Sequence, residues 1–290
     1  HPPVVVKVQR PQIAEIVAID LEAMRVVARW ANLYPPVRQR VNVPLLVEEF
    51  SRALMEEIDY LHEGQNAETF AHNFAERPEI YVPRVLWSHT TRQVLTLENI
   101  PGIKISDYAA IEAAGISRPV VARLLFDTYL KQIFEDRFFH ADPHPGNLFL
   151  LPRAEGGWQL VFIDFGMASD VPPHLLLGLR EILISFGTRD AARLIRAYQT
   201  LGVLLPDANL EMLERLSGRA FDRFWGKSTT EMMNLSHQDA VTFVQDFGEL
   251  LQEMPFQAPE NIILLARCLG ILSGICSGLD PDFNVWTAIT

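Results

Sequence analysis

The chain has 290 residues, 49% hydrophobic and 21% charged, with a formal net charge of −11. That length allows one large domain or two lobes around a sizeable core, and the balance of residues excludes a disordered chain. The acidic excess argues against broad nucleic-acid binding, which needs clustered Lys and Arg, but not against a nucleotide held locally with a metal.

The first segment, HPPVVVKVQRP, has neither an initiating Met nor a signal-peptide pattern, and reads as part of a longer protein. Within it, residues 3–11 form a β-branched run closed by a proline, the mark of a strand. A helical pattern follows through EIVAIDLEAMRVVARWANL and stops at Pro35-Pro36. Residues 44–74 read as one long, charge-rich helix. IYVPRVLWS and RQVLTLENI then give two strands before a Pro-Gly turn at 101–102.

From there the chain is mostly helical. Residues 119–139 are apolar on most sides and predict a buried helix. NLFLLP and WQLVFIDFG predict a strand pair around the turn RAEGG. Beyond residue 172 the pattern is amphipathic helix, broken near 187–190, 204–209 and 254–259. The expected organisation is a small mixed lobe over 1–100 and a larger helical lobe over 101–290.

Residues 261–279 are nearly long and apolar enough to cross a bilayer, and Gly270, Gly274 and Gly278 recur every four positions. Arg267 in the middle argues instead for a packed helix whose glycines allow close backbone approach. Cys268 and Cys276 on the same stretch lie about 12 Å apart on a helix, beyond disulfide reach. They read as core thiols of a reducing compartment.

The chemistry concentrates at residues 140–166. His140, Asp142 and Asn147 form His-x-Asp-x-x-x-x-Asn, and the apolar run LVFI then delivers Asp164-Phe165-Gly166. One Asp and one Asn oxygen plus phosphates suffice for Mg²⁺, which favours hard oxygen ligands and keeps several waters. The other aspartate is then free to orient or deprotonate an attacking hydroxyl. The spacing equals that of a protein-kinase catalytic loop and its metal-binding tripeptide. A rival reading uses the alternation of His140, Asp142 and His144 to bind Zn²⁺ or Fe²⁺, but leaves Asn147 and Asp164 without a role.

A kinase-like site also needs a cation for the phosphates, held by a helix carboxylate. Lys7 is the lone charge in VVVKV and must find an anion. On the long helix Asp59 and Glu63 are four apart, sharing a face where a cation would relieve their repulsion, while Glu57 lies on another face.

Together these residues resemble the UbiB/ADCK atypical kinases of ubiquinone biosynthesis. VVVKVQRP, EEIDYLHEGQNAETF, FFHADPHPGNLFL, FIDFGM and GLDPDFN are similar to the family's blocks, in order. The resemblance implies an α+β, two-lobed protein-kinase-like fold and a Mg-nucleotide (ATP or ADP) in the interlobe cleft. It gives Lys7 the phosphate contact, Glu63 the role of helix partner, Asp142 catalysis, and Asn147 and Asp164 the Mg²⁺. Glu57 and Asp59 match the family's Glu-x-Asp. TLENI falls where kinases hold adenine through backbone hydrogen bonds, around Glu98 and Ile100, with Thr96 behind the pocket.

The family's alanine-rich nucleotide loop and Lys-x-Gly-Gln helix lie upstream of the lysine strand, and this sequence starts at that strand. Ala141 stands where ordinary protein kinases have Arg, and no Ala-Pro-Glu follows the Asp-Phe-Gly. The expected activity is therefore ATP hydrolysis or phosphorylation of a small or lipid-like acceptor, in support of isoprenoid quinone biosynthesis. Its expected place is the cytoplasm, with membrane-surface association or quinone-biosynthesis partners reached through parts outside this sequence. The alternatives are an aminoglycoside- or choline-kinase-like phosphotransferase and a nucleotide-binding module without catalysis.

Overall fold

A computed structural model of the chain describes residues 3–38, 42–224, 255–257 and 259–284. They fall into two compact units, His1–Asp170 with Leu264–Ala288, and Val171–Ile263. The boundary at 100/101 expected from sequence falls inside the first unit.

In the first unit, β1 (Val4–Val8) carries Lys7. It pairs antiparallel with β3 (Val94–Glu98), setting Lys7 opposite Leu95 and Val6 opposite Thr96. Between them run α1 (Ile13–Ala31), the short α2 (Pro35–Arg38), α3 (Val43–Glu57) and α4 (Tyr60–Asn73).

The single helix expected over 44–74 is in fact two. Asp59 leaves the helical conformation (φ −101, ψ 98), and its carboxylate accepts the Leu61 amide at 3.1 Å. Aspartate at an N-cap satisfies one of the amides a helix start leaves open. Apolar and charged residues keep a helical spacing on both sides, so periodicity alone runs the two together. Asp59 and Glu63 therefore do not share a helix face as expected: Asp59 caps α4, and Glu63 sits in its first turn.

The strand expected from IYVPRVLWS is only β2 (Ile80–Tyr81). Pro83 brings no amide to a ladder. The chain turns through a 3₁₀ segment at Trp87–His89 and rejoins β3 by Leu86 N donating to Thr96 O at 2.9 Å.

Next come β4 (Ile103–Lys104), α5 (Tyr108–Ala113) and α6 (Arg118–Lys131). The helix expected to reach residue 139 ends earlier. It widens into a π turn at Gln132–Asp136, and Arg137, at φ 56, turns the chain into β5 (Phe138–His140). The expected hairpin is present as β6 (Leu148–Pro152) and β7 (Trp158–Phe162), with Gly156 and Gly157 supplying positive φ at the turn. The four-stranded sheet runs β2-β7-β6-β4, and β5 pairs separately with β8 (Ala168–Asp170). Leu148, Leu150, Leu160 and Phe162 are fully buried beside Phe70 and Tyr129, forming the core beneath the loops at 140–147 and 163–167.

The second unit holds α7 (Pro173–Thr188), α8 (Ala191–Thr200) and α9 (Leu210–Phe224) around Ile195, Leu204, Met212, Leu213 and Leu216. α10 (Glu260–Leu279) starts in this unit and runs into the first. It is long and apolar enough to cross a membrane by composition, with 33% of that window buried within the structure. Leu265, Cys268, Leu272, Cys276 and Leu279 face inward, and Leu269 is exposed. The expected glycine stripe is a close approach at one position only. A Cβ on Gly278 would collide with the Tyr108 hydroxyl, whereas one on Gly270 or Gly274 would meet open space.

Candidate active site

Lys7 reaches from β1 to α4 and to the loop after β7. Its Nζ lies 2.9 Å from both Glu63 oxygens and 3.0 Å from Asp164 Oδ2, joining residues 56 and 157 positions away. The Tyr60 ring lies 5.2 Å from the same ammonium. Glu63 is buried, while the Lys7 and Asp164 side chains remain 38% and 37% exposed, so the pair opens toward solvent on the Asp164 side. Burial pushes the Glu63 carboxyl above its ordinary range, and the Asp164 charge adds to that, with Lys7 pulling the other way. Burial works against the Lys7 charge, but the two carboxylates outweigh it and hold the ammonium above its usual value. One cation shared by two carboxylates, one of them buried, offsets the cost of that buried charge only where the geometry is good, and these short contacts meet that condition.

The Asp-Phe-Gly segment is fixed from three sides. Asp164 Oδ1 accepts the Gly166 amide at 3.1 Å, so the aspartate holds its own turn. Phe165 is buried against Phe70 and His140, and Asn66 Nδ2 donates to its carbonyl at 3.0 Å. His140 is buried and bonds through Nε2 to the Asp164 carbonyl, and burial keeps its pKa low.

The loop at 141–147 is built as tightly. Asp142 Oδ2 accepts from Asn147 Nδ2 at 3.3 Å, which leaves the Asn147 amide oxygen as the free acceptor. His144 Nδ1 accepts the Gly146 amide at 3.0 Å, so His144 caps the loop. Leu148 pairs with Phe162, and the Ile163 amide donates to Asn147 O at 3.1 Å. Asn147 and Asp164 thus stand at the same end of the β6–β7 hairpin.

The structure brings Asp142 together with Asn147, and Lys7 together with Glu63 and Asp164, the residues that the resemblance pairs. It does not assemble the rival metal set. His140 is committed to the Asp164 carbonyl and His144 to the Gly146 amide, and no group of three or more His, Cys, Asp and Glu able to hold a metal stands among the described residues. The Glu57 side chain lies outside the described residues.

At the expected hinge, Thr96 is buried and its hydroxyl donates to His89 O at 2.7 Å. The Glu98 amide donates to Arg84 O at 3.0 Å, and its carboxylate receives the Tyr81 hydroxyl at 2.8 Å. The Ile100 carbonyl accepts from Gly102 at 2.9 Å. Two residues escaped the sequence reading. Asn66 was readable only as a polar residue on an otherwise mixed helix. Arg267 was weighed solely as an obstacle to a membrane span, and its Nη2 donates to Asp142 Oδ1 at 3.2 Å.

A lysine on a strand, paired with a helix glutamate and facing an Asp-Phe-Gly beside an His-x-Asp-x-x-x-x-Asn loop, defines a kinase-like protein. Residues 1–198 match the ABC1 atypical kinase-like domain, and the chain belongs to that family. An uncharacterized protein of Synechocystis is 37% identical over 281 residues, covering 97% of this chain and 46% of the relative. The chloroplastic Activity of BC1 Complex Kinase 8 of Arabidopsis thaliana is 32% identical over 307 residues, covering 97% of this chain and 40% of that protein. The chain thus spans less than half the length of these relatives. A Mycobacterium tuberculosis protein solved in complex with erythromycin shares the fold, with a TM-score of 0.63 at 21% identity over 96% of this chain and 68% of that one.

Proposed function

We propose that the chain is the nucleotide-binding part of an atypical kinase or ATPase, with the cleft between a lobe at 1–100 and a lobe at 101–290. The observation that carries the reading is Lys7 bridging Glu63 and Asp164. A lysine poised between a helix carboxylate and a metal-type aspartate is where phosphate oxygens would be received.

The donor set fits magnesium rather than zinc: one partly exposed carboxylate on Asp164 and one amide oxygen on Asn147, at neighbouring strand ends, with no histidine or thiolate among them. When bound, Mg²⁺-ATP supplies the transferable phosphoryl group and the charge neutralisation it needs. Lys7 Nζ would hold phosphate oxygens while Glu63 keeps the ammonium in place. Asp142 would orient an attacking hydroxyl or water and take its proton as the oxygen–phosphorus bond forms and ADP leaves. Glu98, its amide already committed, would offer adenine its carbonyl, and Ile100 its amide. Thr96 would back the pocket through its place on β3.

The short segment between Asp164 and α7 supports a small or lipid-like acceptor over a peptide, and support of isoprenoid quinone biosynthesis fits the family. Association with a membrane surface or with quinone-biosynthesis proteins is part of the same reading, as is a cytoplasmic setting. The test is a thermal shift. Mg²⁺ with ATP or ADP should raise the melting temperature, and Asp164→Asn should abolish the part of the rise that depends on Mg²⁺. An equal rise in both proteins removes Asp164 from the site.

A further inference from the structure

Arg267 is the one charged residue between Asn261 and Leu279, on a helix whose other residues there are apolar or small. Packing an apolar helix gives no reason for a charge at that place. The structure gives one: its guanidinium meets the Asp142 carboxylate, with half of the arginine side chain exposed.

Among the described residues, α10 approaches the loop around Asp142 at neighbouring points as well. The adjacent Cys268 donates its thiol to His140 O at 3.6 Å, and Ile271, Gly274 and Ile275 share with Pro145 the walls of a cavity of about 330 Å³. The Asp142 carboxylate is therefore held from both sides, Oδ2 by Asn147 from within the loop and Oδ1 by Arg267 from α10. Two donors on different oxygens fix the rotation of a carboxylate, where one leaves it free to swing. A guanidinium suits this task, since it stays charged at every working pH and presents its donors in a rigid plane.

We propose that Arg267 is the positioning residue for Asp142, setting the angle at which that carboxylate meets the acceptor. This rests on the reading of Asp142 as the group that orients the attacking oxygen. Arg267 touches neither nucleotide nor acceptor in this role.

The experiment compares Arg267→Met, which keeps the aliphatic stem, and Arg267→Lys, which keeps the charge, with the unaltered chain. Misplacing a reacting group by about 1 Å costs on the order of 100-fold in rate. Arg267→Met should lower kcat by about 10- to 100-fold, leave KM for ATP and the nucleotide-induced melting shift unchanged, and be partly rescued by Arg267→Lys. An unchanged kcat in Arg267→Met overturns the proposal. So does loss of the nucleotide shift, which would place Arg267 on the nucleotide itself.

A thermal double-mutant cycle with Asp142→Asn judges the pair independently of turnover. Coupled effects, with the double variant no worse than the poorer single one, support it, and additive effects overturn it. If the unaltered chain hydrolyses no ATP, catalysis in the proposed function fails while the cycle still decides the Arg267–Asp142 contact.

Discussion

Lys7→Met strands a buried carboxylate, and the structure sets the size of the effect. Removing one partner of a fully buried ion pair costs about 3–5 kcal/mol. Glu63 is buried, but the Lys7 side chain is 38% exposed, so water can reach the vacated space. That lowers the expected cost to about 2 kcal/mol. For a domain of this size the melting temperature should fall by about 4–8 °C. Glu63→Gln is the informative counterpart: Lys7 keeps Asp164 and water, so the loss should stay within about 1 kcal/mol.

The pH dependence gives a second handle. Burial already holds the Glu63 carboxyl high, and removing Lys7 removes the charge that pulled it down. In Lys7→Met the folded state then binds a proton that the unfolded state gives up, so the deficit should shrink as pH falls from neutral toward the ordinary carboxylate range. Differential scanning calorimetry at several pH values measures both effects. A Lys7→Met cost no larger than that of Glu63→Gln, or one independent of pH, would refute the claim that Lys7 compensates a buried charge.

The glycines of α10 should separate by their surroundings. Gly270→Ala and Gly274→Ala enter open space and should stabilise by up to about 1 kcal/mol through helix propensity, while Gly278→Ala should destabilise by about 1–2 kcal/mol by pressing on Tyr108, whose ring Arg118 covers at 4.3 Å. Equal effects at all three, read from thermal melts, would contradict the packing. Burial pushes the Cys268 and Cys276 thiols up to about 12 from 9.0. Above about pH 9 the folded chain keeps protons the unfolded chain loses, so each thiol should remove up to about 1.4 kcal/mol of stability per pH unit. In Cys268→Ala and Cys276→Ala denaturation curves should fall less steeply between pH 9 and 11, and an unchanged slope would place the thiols in contact with water.

The grouping of the candidate site residues was legible because kinase-like motifs constrain residue type and spacing together. Asp142 and Asn147 precede one hairpin and Asp164 follows it, so local sequence nearly determines their proximity. Lys7 and Glu63 needed the resemblance as well, since 56 residues separate them and their meeting depends on how α4 is entered. That entry was misread because Asp59 interrupts a pattern whose period continues on both sides. Chain termination signals of another kind failed at 132–137, where a π turn and a positive φ at Arg137 end a helix with no proline or glycine. The Arg267–Asp142 contact was invisible in the sequence, since 125 positions separate the two and the composition of the helix that carries Arg267 pointed to membranes or core.

The central claim is that Lys7, Asn147 and Asp164 receive a magnesium nucleotide, and calorimetric titration of ATP into the chain with Mg²⁺ and with a chelator tests it most directly. The account predicts binding that weakens on chelation in the unaltered chain, no magnesium dependence in Asp164→Asn, and weaker binding under both conditions in Lys7→Met. Absence of binding in the unaltered chain, or affinity that neither substitution changes, would contradict it.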